Sequence, residues 1–257
     1  FPGSNTPDQF WQNLLDKKDS RTRVTLDKLG ADPERFTGKK GDNDKFYCVN
    51  GGYIDEFNFD ANGYAIPVQQ LAELDDFYQW ALHVCRTALQ QAGYIDKQEL
   101  LKKCGVILGT LSFPTQQSNE LFVPLYHSVV EKGLKKFLGN KNFGIVPFSD
   151  KAKANEVTNP LNGLIAGHPS ALIAQALGLG GASLSLDAAC ASSVYSVKLA
   201  CDYLTTGKAD LMLAGAVSGA DAFFINMGFS IFQAYPENNQ SSPLGDDSQG
   251  LFAGEGA

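Results

Sequence analysis

The sequence predicts an α/β fold with a mainly parallel sheet, because short apolar runs alternate with helical segments. Residues 104–110 and 209–217 are apolar and bounded by turn residues, which favours buried strands. Residues 71–92 repeat apolar side chains at helical spacing and precede Gly93, which indicates one amphipathic helix ending at that glycine.

Further elements follow from capping and turn signals. Residues 8–15 are predicted to form a short helix capped by Thr6 or Asn5, with Phe10 and Leu14 facing a core. Helical material is expected over residues 119–138. Another helix is expected within 159–179, where Ser170 is a candidate N-cap.

Composition narrows the class of protein. The chain has 257 residues, 44% of them hydrophobic, which is enough for a sizeable core. A net charge of −7 argues against nucleic acid as a partner. No apolar run is long enough to span a bilayer. Five cysteines without Cys-x-x-Cys spacing indicate reduced thiols in a cytoplasmic protein and make a zinc site an unfavoured interpretation.

The stretch around Cys190 carries the clearest chemical signal. Ser183–Leu186 is predicted to be a strand, and residues 191–204 a largely apolar helix sandwiched between layers, with Gly207 as its stop. Cys190 then lies at a strand-to-helix turn, where backbone N–H groups and the helix dipole favour a thiolate and could bind an oxyanion. The alternative, a small buried hydrophobic side chain, stays open from this pattern alone.

A resemblance to a known family bears on that choice. The segment Asp187-Ala-Ala-Cys190-Ala-Ser-Ser resembles the active-site segment of β-ketoacyl synthases, the condensing enzymes of fatty acid and polyketide synthesis. Residues 199–217 are most similar to the ketosynthase of polyunsaturated fatty acid synthases. Phe1-Pro-Gly and Gly254-Glu-Gly-Ala257 also resemble family motifs. The resemblance implies that residues 1–257 are the N-terminal part of one ketosynthase domain, truncated at both ends.

The resemblance implies a thiolase-like fold and a decarboxylative Claisen condensation. Cys190 would be the nucleophile, with its backbone N–H in the oxyanion hole, and Phe229 would contact the acyl chain. The substrates would be carried on the phosphopantetheine of an acyl carrier protein, with no metal and no cofactor bound directly. The family's pattern also implies a homodimer and further synthase domains in the parent chain. The family's catalytic histidines would lie beyond residue 257, so the isolated chain is not expected to condense.

Two other functions remain open at this point. One is a catalytically silent partner that sets chain length, against which the retention of Cys190 argues. The other is a thiol acyl hydrolase of a different fold. Phe229 could equally be core packing. The motif at residues 242–256 departs from the family pattern, because Leu244-Gly245 stand where Phe-Asp is usual, which predicts a looser loop.

Overall fold

The computed structural model describes residues 1–139, 159–163 and 168–257 of the chain. Within these ranges helices and strands alternate. The elements in chain order are α1 (Pro7–Leu15), β1 (Thr22–Arg23), α2 (Leu26–Leu29), α3 (Pro33–Phe36), β2 (Asn50–Gly51), α4 (Val68–Ala72), α5 (Asp76–Gln91), α6 (Gln98–Leu101), β3 (Cys104–Gly109), α7 (Gln116–Leu138), α8 (His168–Leu177), β4 (Ser183–Leu186), α9 (Ser192–Thr205), β5 (Leu211–Ala216) and α10 (Ala222–Ile231).

The predicted parallel sheet is confirmed. β3 is the central strand and pairs in parallel with β4 on one side and β5 on the other. Every residue of β3 is buried, which explains why its sequence is continuously apolar rather than alternating. β1 and β2 form a separate antiparallel pair.

Helices pack on both faces of β3. Successive strand residues point to opposite faces, so alternate residues of β3 contact different helices. Cys104, Val106 and Leu108 join a hydrophobic cluster that contains residues of α5 and α8. On the other face, Gly109 lies against Ser192, the first residue of α9. β3 therefore packs against α5 and α8 on one face and against α9, the helix that follows Cys190, on the other.

The helix predicted over residues 71–92 is two helices, so that prediction was wrong in extent. α4 ends at Ala72, and Asp75 then caps α5 by accepting the Phe77 N–H at 3.1 Å. The second oxygen of Asp75 accepts the Gln117 N–H at the start of α7. Because Asp75 is bound to the starts of two helices, the helix is interrupted there, although the apolar spacing continues through residues 71–92.

Ser170 is not the N-cap of its helix. α8 begins at His168, and Ser170 lies buried inside it, where its hydroxyl donates to the Leu184 carbonyl at 2.8 Å. The residue therefore anchors α8 to β4, the strand that leads to Cys190.

The Thr6 cap of α1 is confirmed, since its Oγ1 accepts the Gln9 N–H at 3.1 Å. The expectation that Phe10 and Leu14 face a core was wrong, because none of the residues of α1 is buried. Phe10 instead stacks on Phe1, with 4.8 Å between ring centroids, at the wall of a surface cavity of about 380 Å³. No described helix has the length and apolar character that crossing a membrane would require.

Candidate active site

Cys190 lies at the predicted strand-to-helix turn. β4 ends at Leu186, α9 begins at Ser192, and the short 3₁₀ turn Ala189–Ala191 between them carries Cys190 at its centre. The thiol is exposed, so the interpretation of Cys190 as a buried hydrophobic side chain does not hold.

The buried cysteines differ from Cys190 in their surroundings. Cys48, Cys85 and Cys104 are all buried. Burial raises the pKa of Cys85 to about 12 and that of Cys104 to about 11, so both thiols stay protonated near neutral pH. Cys201, on α9, is the second exposed cysteine and offers a natural internal reference for Cys190.

The turn before Cys190 is held by two side chains that the sequence pattern did not single out. Asp187 accepts the Ala189 N–H through Oδ1 and the Ser112 N–H through Oδ2, each at 2.8 Å. Ser192 accepts the Ala188 N–H at 2.9 Å and donates to the Ala189 carbonyl at 2.7 Å. Polar residues two or three positions from a turn often bond its backbone, and that is the signal that could have identified them.

The start of α9 is fixed against the sheet. A Cβ at Gly109 would lie only 2.6 Å from the Ser192 carbonyl carbon, so only glycine permits this approach without a shift of backbone. One turn further along, the buried Ser196 hydroxyl donates to the Gly215 carbonyl of β5 at 2.7 Å. The Cys190 turn therefore leads into a helix that is seated on two strands.

The outer face of α9 is open in the described part of the chain. Val194, Tyr195 and Val197 are exposed, so the expectation that the helix is sandwiched between two layers is not met within these residues. The pair Lys198 and Asp202 forms a surface ion pair.

Phe229 lies on α10 and lines a cavity of about 150 Å³ together with Leu111, Tyr53 and Asn226. Its ring packs edge-on against Tyr235, with 5.9 Å between centroids. Cys190 is not among the residues that line this cavity. The cavity is connected to the Cys190 turn through the chain, because Leu111 lines the cavity and the N–H of the next residue, Ser112, is bound to Asp187.

The Gly-Glu-Gly segment contains a partly buried ion pair that no local sequence pattern indicated. Glu255 accepts the Ile54 N–H at 2.7 Å and pairs with Lys28 at 2.9 Å. Burial raises the pKa of the Glu255 carboxyl, and the nearby Lys28 opposes that rise. Leu244, in the segment where a looser loop is predicted, is fully exposed.

The chain contains three histidines, His83, His127 and His168. His83 packs edge-on against Phe57 at 5.2 Å, and burial lowers its pKa. His127 lies 3.8 Å from Glu131 on the same helix. The side chain of His168 falls outside the described residues.

Known proteins are similar to this chain in sequence and in fold. The family model for the β-ketoacyl synthase N-terminal domain matches residues 1–257. A polyunsaturated fatty acid synthase polypeptide from Thraustochytrium sp. is 31% identical over 264 residues, which cover 100% of this chain and 12% of that protein.

Two solved structures extend the comparison. The PfaC keto synthase-chain length factor is 59% identical with a TM-score of 0.89, over 99% of this chain and 27% of that chain. The ketosynthase domain OzmH KS7 of Streptomyces albus JA3453 is 18% identical with a TM-score of 0.70, over 98% of this chain and 39% of that one. The chain thus spans a minor part of each of these relatives.

Proposed function

Because the chain belongs to the β-ketoacyl synthase family and has the thiolase-like α/β fold, we propose that it is the nucleophile-bearing, N-terminal part of a ketosynthase domain. The observation that carries the proposal is the exposed Cys190 at a strand-to-helix turn, while Cys48, Cys85 and Cys104 are buried. An exposed thiol at such a turn is positioned to attack a thioester carbonyl.

The proposed reaction has two covalent steps. The Cys190 thiolate attacks the acyl thioester of a carrier, the tetrahedral oxyanion collapses, and the carrier leaves as a thiolate that takes a proton from solvent. A malonyl carrier then loses carbon dioxide, and its carbanion attacks the Cys190 thioester. The C–S bond breaks, Cys190 is regenerated as a thiolate, and a β-ketoacyl carrier is released. The Cys190 backbone N–H would stabilise the oxyanion of both steps.

The acyl chain is proposed to contact Phe229. This residue lines a cavity whose walls are mainly apolar and include Leu111, and acyl chains are bound by such walls. The loop that contributes Leu111 is bonded to the Cys190 turn through Ser112, so the cavity wall and the thiol belong to one connected structure.

The substrates of the proposed reaction would reach Cys190 on the phosphopantetheine arm of an acyl carrier protein. The curated relatives are large synthases of which this chain matches about a tenth, which supports further synthase domains in the same polypeptide. A homodimer is supported by the exposed outer strand β4 and by the open apolar face of α9. The catalytic histidines would come from residues beyond 257.

A silent chain-length partner is the second candidate, because the 59% identical structure is named for both a keto synthase and a chain length factor. Cys190 and its turn favour the keto synthase part, since a silent partner has no use for an exposed nucleophile. The thiol hydrolase alternative required a different fold and is not supported by the ketosynthase fold.

The test uses the full-length protein with an octanoyl thioester of N-acetylcysteamine and no malonyl carrier. Peptide mass spectrometry should find the octanoyl mass on Cys190 only, persisting until a malonyl carrier is added. Cys190→Ala should abolish the label, and the matched variant Cys201→Ala should keep it. Absence of label, or equal labelling of Cys190 and Cys201, would replace the ketosynthase proposal with the silent partner.

A further inference from the structure

Asp187 joins two distant segments of the chain through one carboxylate. Its oxygens accept the N–H of Ala189, in the Cys190 turn, and the N–H of Ser112, in the loop after β3, each at 2.8 Å. These hydrogen bonds lower the pKa of Asp187, because they stabilise the charged form. Asp187 is therefore an acceptor-only group at neutral pH, matched to two donors.

The residue that Asp187 holds has an unfavourable backbone conformation. Ala189 has a φ of 50°, in the left-handed region, where the Cβ of a non-glycine residue lies too close to the following carbonyl oxygen. The Ser192 hydroxyl holds the same residue from the other side, by donating to the Ala189 carbonyl. Strain of this kind persists only where surrounding groups enforce it, and it immediately precedes Cys190.

The second segment held by Asp187 is part of the cavity wall. Leu111 lines the 150 Å³ cavity with Phe229, and the next peptide N–H, that of Ser112, is bound to Asp187. Phe113 continues the loop and packs against Phe224 of α10, with 4.9 Å between centroids. The Asp187 side chain thus connects the cavity wall to the Cys190 turn.

We propose that Asp187 and Ser192 are positioning residues that clamp Ala189 in its left-handed conformation and so hold Cys190 in its reactive position. Through Ser112, Asp187 also couples that position to the loop that lines the cavity. The inference rests on the proposed acylation of Cys190 and adds the residues that orient it. Neither residue is assigned a contact with substrate.

The test is a double-mutant cycle in the full-length protein between Asp187→Asn and Ala189→Gly. The Asn side chain has one carbonyl oxygen, so at least one of the two N–H groups loses its acceptor. Octanoyl transfer to Cys190 should fall about tenfold or more, while iodoacetamide alkylation of Cys201 stays within twofold. Glycine adopts a positive φ without strain, so Ala189→Gly should recover most of the loss in the double variant.

The cycle separates positioning from general destabilisation and from failure of the proposed function. A merely structural role would change Cys201 alkylation and the melting temperature, and glycine at position 189 would not restore the rate. Wild-type rates in Asp187→Asn, or an unrelieved loss in the double variant, would overturn the inference while Cys190 acylation itself still stands. If Asp187→Asn does not fold, Ser192→Ala paired with Ala189→Gly applies the same criteria to the other half of the clamp.

Discussion

A methyl group added at Gly109 should displace the helix that follows Cys190. The added Cβ would lie 2.6 Å from the Ser192 carbonyl carbon, and ordinary contact begins at 3.4 Å, so the separation must grow by about 0.8 Å. Overpacking of this kind costs about 1–3 kcal/mol of stability. A misplacement of about 1 Å at a reacting group can cost about a hundredfold in rate. We expect Gly109→Ala to slow octanoyl transfer to Cys190 by tenfold or more.

The assay compares the initial rate of Cys190 labelling by peptide mass spectrometry with the alkylation of Cys201 in the same sample. Gly215→Ala is the matched control, because a Cβ there meets only the end of Leu108 at 3.9 Å on the neighbouring strand. Gly215→Ala should keep both the rate and the melting temperature. If Gly109→Ala is folded and labels Cys190 at the wild-type rate, the close approach of α9 to β3 does not position the thiol.

Three further substitutions test other parts of the structure. Phe229→Ala should shift the preferred acyl chain in labelling competitions towards longer chains, because it enlarges the cavity, whereas Phe232→Ala, exposed at the end of the same helix, should leave the preference unchanged. Ser196→Ala should cost about 1 kcal/mol in urea unfolding by removing a buried hydrogen bond to β5, with labelling of Cys190 within twofold of wild type. Lys28→Met should cost about 1–2 kcal/mol at pH 7, because it leaves the partly buried Glu255 carboxylate without its ion-pair partner. Burial raises the pKa of Glu255 above 4.5, so Glu255 takes up a proton at a higher pH in the folded state than in the unfolded chain. The deficit of the Lys28 variant should therefore shrink as urea unfolding is repeated from pH 7 down towards pH 4.5, and a deficit that stays constant would contradict the pairing.

The parts of the fold that the sequence predicted are those set by local pattern. β3 is buried on both faces and its sequence is continuously apolar, so a strand could be inferred from composition and length. The Thr6 cap of α1 was predictable because a threonine hydroxyl accepts the backbone N–H of the residue three positions later. The turn at Cys190 was predictable because the alternating residues 183–186 indicate a strand and the apolar residues 191–204 indicate a helix.

The errors occurred where a distant part of the chain competes with local pattern. Residues 71–92 keep helical spacing throughout, yet the helix breaks because Asp75 is bound to the start of α7, 42 positions away. The apolar side of α1 has helical spacing too, but spacing does not say whether a partner surface exists, and Phe10 lies at a cavity wall instead.

The site divides in the same way. Cys190 could be predicted as the nucleophile from the residues that flank it in sequence. The roles of Asp187 and Glu255 instead depend on backbone N–H groups 75 and 201 positions away. Backbone donors are present at every residue except proline, so no residue type marks Ser112 or Ile54 as the partner of a carboxylate. The strain at Ala189 could not be predicted for a related reason. Alanine does not mark a position of positive φ in a sequence, and only the folded backbone shows it. A nucleophile can therefore be predicted from sequence, while the groups that hold it in place become visible only when the chain is folded.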